Sequence, residues 1–294
     1  MNERSLKIFY EVATKLNMTE AADNLYISQP AVSQTIRELE AEYDVKFFDR
    51  LGRKLYLTQE GELFLQYVRR ILNLYQECTE TFQDLRGAKK GKLSVGASTT
   101  IGIYILTDII GRFQKQHRGV EVALNIENTR IIEDFILKNR IDFAFVEGPV
   151  NSPEIVADYF CDDELVFIIP PEHPWAERVE VNPKEIERER FLIREKGSGT
   201  REVVETALAA QGVQYHLGME LGNTEAIKKA VAAGLGISCI SERCIRQEVA
   251  EERLRVARVA GLTVKRNLNL IYHQDKYMSN RFKFFIDYCK SQVK

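Results

Sequence analysis

Apolar residues recur at helical spacing from the start of the chain. Leu6, Phe9, Val12, Ala13 and Leu16 fall on one helical face. Thr19 is placed to cap a second short helix over Glu20 to Leu25. Ser28 is placed to cap a third, with Pro30 in its first turn, where a missing N–H costs nothing. In that helix Val32, Ile36 and Leu39 point inward, and Gln29, Ser33, Gln34 and Arg37 occupy the other faces. Two apolar runs, Phe47-Phe48 and Leu55-Tyr56-Leu57, then flank a short basic turn holding Gly52, which predicts a β-hairpin or wing.

From Thr58, placed to cap a helix, to about Leu85 the pattern changes. Phe64, Tyr67, Ile71, Leu74, Cys78, Thr81 and Leu85 follow alternating steps of three and four, and Val68, Tyr75 and Phe82 widen the stripe. No Pro or Gly interrupts residues 62–86. A helix of ~27 residues would be about 40 Å long, too long to hide its stripe within one small domain. A dimerisation arm packed on its twin is the expected use; a helix lying across its own domain is the plain alternative. Gly87-Ala88-Lys89-Lys90-Gly91 reads as a linker.

Strands and helices alternate afterwards. Strands are predicted at Leu93 to Gly96, Val120 to Ile126 and Ile141 to Val146, with helices at Ile103 to Gln116 and Thr129 to Lys138. That order implies a parallel sheet. Leu165 to Ile169 is a buried strand that opens a second alternation. Here strands at Phe191 to Arg194, Leu217 to Leu221 and Ile237 to Ile240 are interleaved with helices at Pro183 to Glu189, Thr200 to Gln211 and Thr224 to Ala233. A late strand, Leu268 to His273, and a helix, Met278 to Lys290, close the chain. Two α/β lobes result, with crossings near Cys161 and Val264.

Composition narrows the function classes. A chain of 294 residues suggests two or three domains. Lys and Arg number 41 against 43 Asp and Glu, which excludes a polybasic coat but not a local DNA-reading surface. The five cysteines form no C-x-x-C pair, so neither a disulfide framework nor a zinc site is indicated. Cys161 lies near a crossing but has no identifiable partner thiol for a redox switch. The start of the chain lacks a basic segment followed by a long apolar core, and the apolar stretches fall short of the ~20 residues of a membrane span. A soluble, cytoplasmic protein without a membrane partner is expected.

The run Ala21-Ala22-Asp23-Asn24-Leu25-Tyr26-Ile27-Ser28-Gln29-Pro30-Ala31-Val32-Ser33, continuing to Ile36, Leu39 and Glu40, resembles the helix-turn-helix of LysR-type transcriptional regulators. The likeness extends through Phe48-Asp49-Arg50 and Leu57-Thr58-Gln59-Glu60-Gly61, and chain length, long helix and two lobes fit it too. Tyr43 and Asp44 stand where the family usually has an aliphatic residue and Gly, and Phe47 where it usually has Leu. Segments 194–201 and 221–228 resemble the branch that includes CysL-type and CbbR-type regulators. The fold implied is α/β: an N-terminal winged helix-turn-helix with a long linker helix, then a two-lobed periplasmic-binding-protein-like effector domain. The boundaries expected are 1–58, 59–88, 92–161 with 266–294, and 162–265.

On this reading the third helix enters the major groove. Gln29, Ser33, Gln34 and Arg37 reach base edges or phosphates, and Pro30 and Ala31 offer apolar contact. Arg50, Arg53 and Lys54 suit phosphates, or else are a solvated charge cluster. Residues 1–58 hold eight basic and nine acidic side chains, so the DNA reading rests on the motif and tight binding needs several subunits.

Polar clusters fall where strands end and helices begin. Ser98, Thr99 and Thr100 form one, and Ser198, Gly199, Thr200 and Arg201 another just after Arg194. Asn223 and Thr224 form a third, and Asn128 and Thr129 a weaker fourth. Such helix starts with an Arg nearby suit a small anion; simple N-capping is the alternative for any single residue. Glu147 ends a strand, and facing the cleft it would select a ligand with a donor or repel a dianion. The four His show no metal-ligand spacing and no nucleophile partner, and no cofactor motif is present. The expectation is therefore a non-enzymatic regulator without a cofactor. Its partners are a double-stranded operator, a small anionic effector and further copies of itself in dimers and tetramers, with RNA polymerase left open. A cleft ligand would shift lobe closure and hence DNA bending. A transport solute-binding protein would need a signal peptide and no DNA motif; an α/β metabolic enzyme would need a convergent acid/base or cofactor motif.

Overall fold

A computed structural model describes residues 1–52, 54–85 and 91–293, without the side chains at 76, 77, 80, 81 and 83–85. The chain divides into two compact units, the first including Lys138–Arg140 and the second containing the strand that opens at Gly91.

The first unit opens with α1 (Glu3–Lys15), α2 (Met18–Asn24) and α3 (Gln29–Tyr43). Leu6, Phe9, Val12 and Ala13 are buried as their spacing predicts, but Leu16 is the left-handed C-cap of α1 and is exposed. Asn17, not Thr19, caps α2: its side chain accepts from the Thr19 and Glu20 N–H groups, so the helix begins earlier than expected. Ser28 caps α3, and Val32, Ile36 and Leu39 are buried. Small Ala21 and Ala22, both buried, let α2 sit close to its neighbours.

Asp44 ends α3 in the left-handed conformation at φ 52°, which an Asp tolerates better than most residues. The departures from the family pattern are thereby accommodated. Phe47 stacks on Phe64 at 4.4 Å, and Tyr43 lies against both. The hairpin is β1 (Phe48–Leu51) and β2 (Lys54–Leu57), turning at Gly52 with φ 62°. Arg53 lies outside the described residues.

Helix α4 (Gln59–Leu85) has the expected 27 residues, and Thr58 Oγ1 accepts the Gly61 N–H at its start. The seam is not uniform. Val68 is buried and Phe64 and Ile71 pack on the unit's own core, whereas Tyr67, Leu74, Tyr75, Cys78 and Phe82 are exposed. The first half of the stripe thus completes the small domain, and only the remainder is open to a partner. The side chains of Thr81 and Leu85, and the linker 87–90, lie outside the described residues.

The second unit is built on a mixed seven-stranded sheet. Its strands are β3 (Gly91–Ser98), β4 (Val120–Glu127), β5 (Phe143–Glu147), β6 (Ile155–Ile169), β9 (Ser238–Ser241), β10 (Arg255–Ala257) and β11 (Val264–His273). β3 pairs in parallel with β4 and β5, as the strand–helix alternation predicts. β6 and β11 are long antiparallel partners that run through both lobes. The separate strand expected at Leu165 to Ile169 is therefore the last third of one continuous strand, which also contains Cys161. A smaller parallel pair, β7 (Arg190–Arg194) and β8 (His216–Leu221), is joined toward β9 by a bridge between Phe191 and Ile237.

Helices cover both faces. A helical segment expected at Ile103 starts earlier, with α5 (Thr99–Ile101), a π-helical turn (Gly102–Leu106) and α6 (Thr107–Gln116). With α11 (Asn280–Gln292) it encloses one core around Phe113, Phe143, Phe145 and Phe285. α7 (Thr129–Leu137) covers the other face through Ile132 and Ile136. In the second lobe α8 (Gly199–Ala210) packs on one core with Trp175 and Phe191. α9 (Thr224–Ala232) and α10 (Arg246–Ala250) flank another around Ile168, Leu192 and Ile227.

Candidate nucleic-acid interface and effector cleft

The DNA-reading candidates sit on one structural device. Capping by Ser28 and the buried Val32, Ile36 and Leu39 fix which face of α3 turns outward. Pro30, Ala31, Gln34 and Arg37 are exposed there, with Gln29 and Ser33 half-buried beside them. Arg37 donates to Gln34 at 3.1 Å and Gln34 to Glu38 at 2.9 Å, which orders these side chains along the helix. Arg50 and Lys54 are exposed on the hairpin, and neither forms an ion pair among the described residues. Their charge is thus available to a phosphate.

In the second unit the polar clusters meet at the ends of the parallel strands. Arg194 closes β7 and is only 1% exposed. Its Nη2 donates to Thr99 Oγ1 at 3.2 Å and its Nη1 to Thr224 Oγ1 at 3.3 Å, so one guanidinium joins both lobes. Glu195 takes the remaining edge at 2.7 and 2.9 Å. Ser198 is the N-cap of α8 but makes no side-chain capping bond, and its Oγ is buried without a partner among the described residues. Thr100 is buried in the same region of the chain, at the start of α5.

A second network lies around Glu147. Its N–H donates to Ser98 Oγ at 3.1 Å, its carbonyl accepts from Thr129 Oγ1 at 3.0 Å and its Oε1 accepts from Thr200 Oγ1 at 3.3 Å. Arg266 Nη2 lies 3.1 Å from Glu147 Oε2 and 2.7 Å from Asp163 Oδ2, and its Nη1 donates to Thr200 Oγ1 at 2.9 Å. Burial opposes the Arg266 charge, and the two carboxylates outweigh it, so its pKa stands above the ordinary value. Glu147 is thereby committed to Arg266 and Thr200. Gly199 is required here: a Cβ at this position would lie 1.8 Å from the Glu147 carbonyl oxygen. The start of α8 therefore abuts the end of β5 backbone to backbone.

Comparison with known proteins bears on both surfaces. Residues 4–62 match the bacterial regulatory helix-turn-helix family of LysR type, and residues 86–294 match the LysR substrate binding domain. The chain belongs to the LysR family of transcriptional regulators. It is 36% identical over 286 residues to an uncharacterised HTH-type transcriptional regulator, YeiE, of Escherichia coli, covering 97% of this chain and 96% of that one. It is 32% identical over 290 residues to the RuBisCO operon transcriptional regulator of Allochromatium vinosum, covering 99% and 96%. The regulatory domain of Synechocystis CcmR, solved in complex with 2-PG, superposes with a TM-score of 0.66 at 30% identity, covering 70% of this chain and 98% of that one.

In this LysR-type regulator Arg194 links Thr99 with Thr224, and Glu147 links Ser98, Thr129 and Thr200. Other candidates do separate work. Asn128 and Asn223 accept N–H groups at the starts of α7 and α9. Arg201 is engaged by Glu205 at 2.9 Å and Glu220 at 2.5 Å, bracing α8 against β8. Arg194 and Arg266 are the residues that residue-by-residue reading underrated. Their signal was present: Arg194 directly follows the apolar run Phe191-Leu192-Ile193, and Arg266 is the one Arg of its strand. Cys161 is buried and its thiol is pushed up to about 11 by that burial, which disfavours a reactive thiolate.

Proposed function

We propose that this regulator reads its operator with Gln29, Pro30, Ala31, Ser33, Gln34 and Arg37, and grips phosphates with Arg50, Arg53 and Lys54. We further propose that a small anionic metabolite acts as effector between the lobes, at Ser98, Thr99, Thr100, Ser198, Gly199, Thr200 and Thr224, around Arg194. The observation that carries the effector reading is Arg194, a buried cation bonded to hydroxyls of both lobes; the same loop carries the unpartnered Ser198 hydroxyl, the Ser198 N–H donating to the Glu195 carbonyl at 3.2 Å. A ligand carboxylate or phosphate meets charge-assisted donors there and gives Ser198 a partner. The relative solved in complex with 2-PG supports a small-molecule effector.

The exposed half of the α4 stripe supports dimerisation, and pairing through the effector domains would give a tetramer. A cytoplasmic location follows from the DNA target, and no described helix is long and apolar enough to cross a membrane. Because Glu195 neutralises Arg194 without a ligand, the anion must displace that carboxylate, so binding and rearrangement of the 195–198 loop are coupled. A thermal-shift screen of 2-PG, phosphate, sulfate, phosphoenolpyruvate and small carboxylates tests the effector class. Concentration-dependent stabilisation by an anion supports it; none across the panel refutes it.

A further inference from the structure

Away from Arg194, the lobes meet at a second point. Tyr104 belongs to the π-helical turn of the first lobe, yet its ring packs against the second lobe's core around Ile168, Leu192 and Ile227. Its hydroxyl donates to Glu225 Oε1 on α9. Lys228, one turn further along α9, holds Glu225 at 2.7 Å, Glu248 at 2.9 Å and the Cys244 carbonyl at 2.9 Å. Its Nζ also lies 5.3 Å from the centre of the Tyr104 ring. One ammonium thus serves two carboxylates, and the Tyr104 hydroxyl supplies the additional donor that Glu225 accepts.

We infer that Tyr104 is a positioning residue that latches the start of α9 to the first lobe and thereby sets the placement of Thr224 across from Thr99. The link is short in sequence. Glu225 follows Thr224, which receives the Arg194 hydrogen bond, and Tyr104 lies five residues after Thr99, which receives the other. The π-turn is the local device: π-turns interrupt α-helical register, commonly at functional positions. The inference rests on the effector reading only for its consequence at the cleft; the latch itself exists without ligand.

Hydrogen exchange of the full-length chain tests it. In Tyr104→Phe, which keeps the ring and removes the hydroxyl, amides of Gly102–Leu106 and Thr224–Ala232 exchange about fivefold faster, and those of α8 do not. In a Glu225→Ala background the further change Tyr104→Phe adds nothing, because the two residues act through one bond. Unchanged exchange in Tyr104→Phe, uniform acceleration throughout the domain, or additive effects of the two changes would overturn the latch. Titration with 2-PG forms the second arm: affinity in Tyr104→Phe falls by a similar factor. An unchanged 2-PG affinity would overturn the positioning role. Absence of 2-PG binding to the unaltered chain would count against 2-PG as effector, while the exchange data still decide the latch.

Discussion

Replacing Arg266 by Met removes the cation that two buried carboxylates share. Arg266 lies 2.7 Å from Asp163 and 3.1 Å from Glu147, and the three side chains are at most 2% exposed. Losing one partner of a buried pair typically costs about 3–5 kcal/mol, since the remaining charge stays desolvated. Asp163 keeps the Ser241 hydroxyl at 2.7 Å and Arg243 at 3.5 Å, and Glu147 keeps the Thr200 hydroxyl at 3.3 Å, so the lower part of that range applies. Asp163→Asn should cost less, because Glu147 still faces Arg266. The assay is urea unfolding followed by fluorescence of Trp175, the only Trp in the chain, which is buried in the second-lobe core. At a denaturant slope of about 2 kcal/mol/M, the Arg266→Met midpoint falls by about 1.5 M. A shift corresponding to less than about 1 kcal/mol would show that water or relaxation compensates the charges, and the reading of Arg266 as the cation that holds Glu147 and Asp163 in place would fail.

On the DNA side, Arg50→Gln and Lys54→Gln should each weaken binding to all sequences alike and reduce the salt slope by about 0.9, the value for one phosphate left unneutralised. Electrophoretic or anisotropy titrations at several salt concentrations read this, and a sequence-selective loss would contradict a phosphate role. Glu195→Gln removes the internal carboxylate that Arg194 holds at 2.7 Å, so anion affinity by calorimetry should rise by about tenfold. Weaker binding would mean that Glu195 helps build the site. Glu225 gives a pH signature: burial raises its pKa, but bonds from Lys228 and Tyr104 and the nearby charge of Lys229 outweigh this, leaving it below the ordinary value. Glu248 also faces Lys228. A carboxylate with a depressed folded pKa stabilises above its unfolded pKa, and that contribution is lost as pH falls through the folded value. The stability advantage over Glu225→Gln should therefore be present near neutrality and vanish in acid; a pH-independent difference would contradict the pairing.

The helices of the DNA reader were legible because each is short, capped locally and patterned by its own apolar stripe. The errors there were local as well. Asn17 outcompeted Thr19 as a cap because its side chain reaches two N–H groups. In α4 periodicity alone cannot say what covers each apolar residue, and the domain's own core took Phe64, Val68 and Ile71. In the effector domain the parallel strands followed from alternation with helices. The long β6 did not, because Asp158, Asp162 and Asp163 interrupt the apolar pattern and two of its segments face different cores. Ser/Thr-rich helix starts marked the region where the lobes meet. Which hydroxyl meets which guanidinium depends on how the lobes close, and that is a long-range property no local spacing encodes.

The functional reading turns on a small-anion site organised by Arg194 between the lobes. Isothermal titration of the full-length regulator and its Arg194→Gln variant decides it, using 2-PG and any anion that stabilises the chain in the thermal screen. Saturable binding is expected with one site per chain, lost or weakened at least tenfold in Arg194→Gln while the fold is retained. Equal affinity in the two proteins would show that Arg194 does not organise the site.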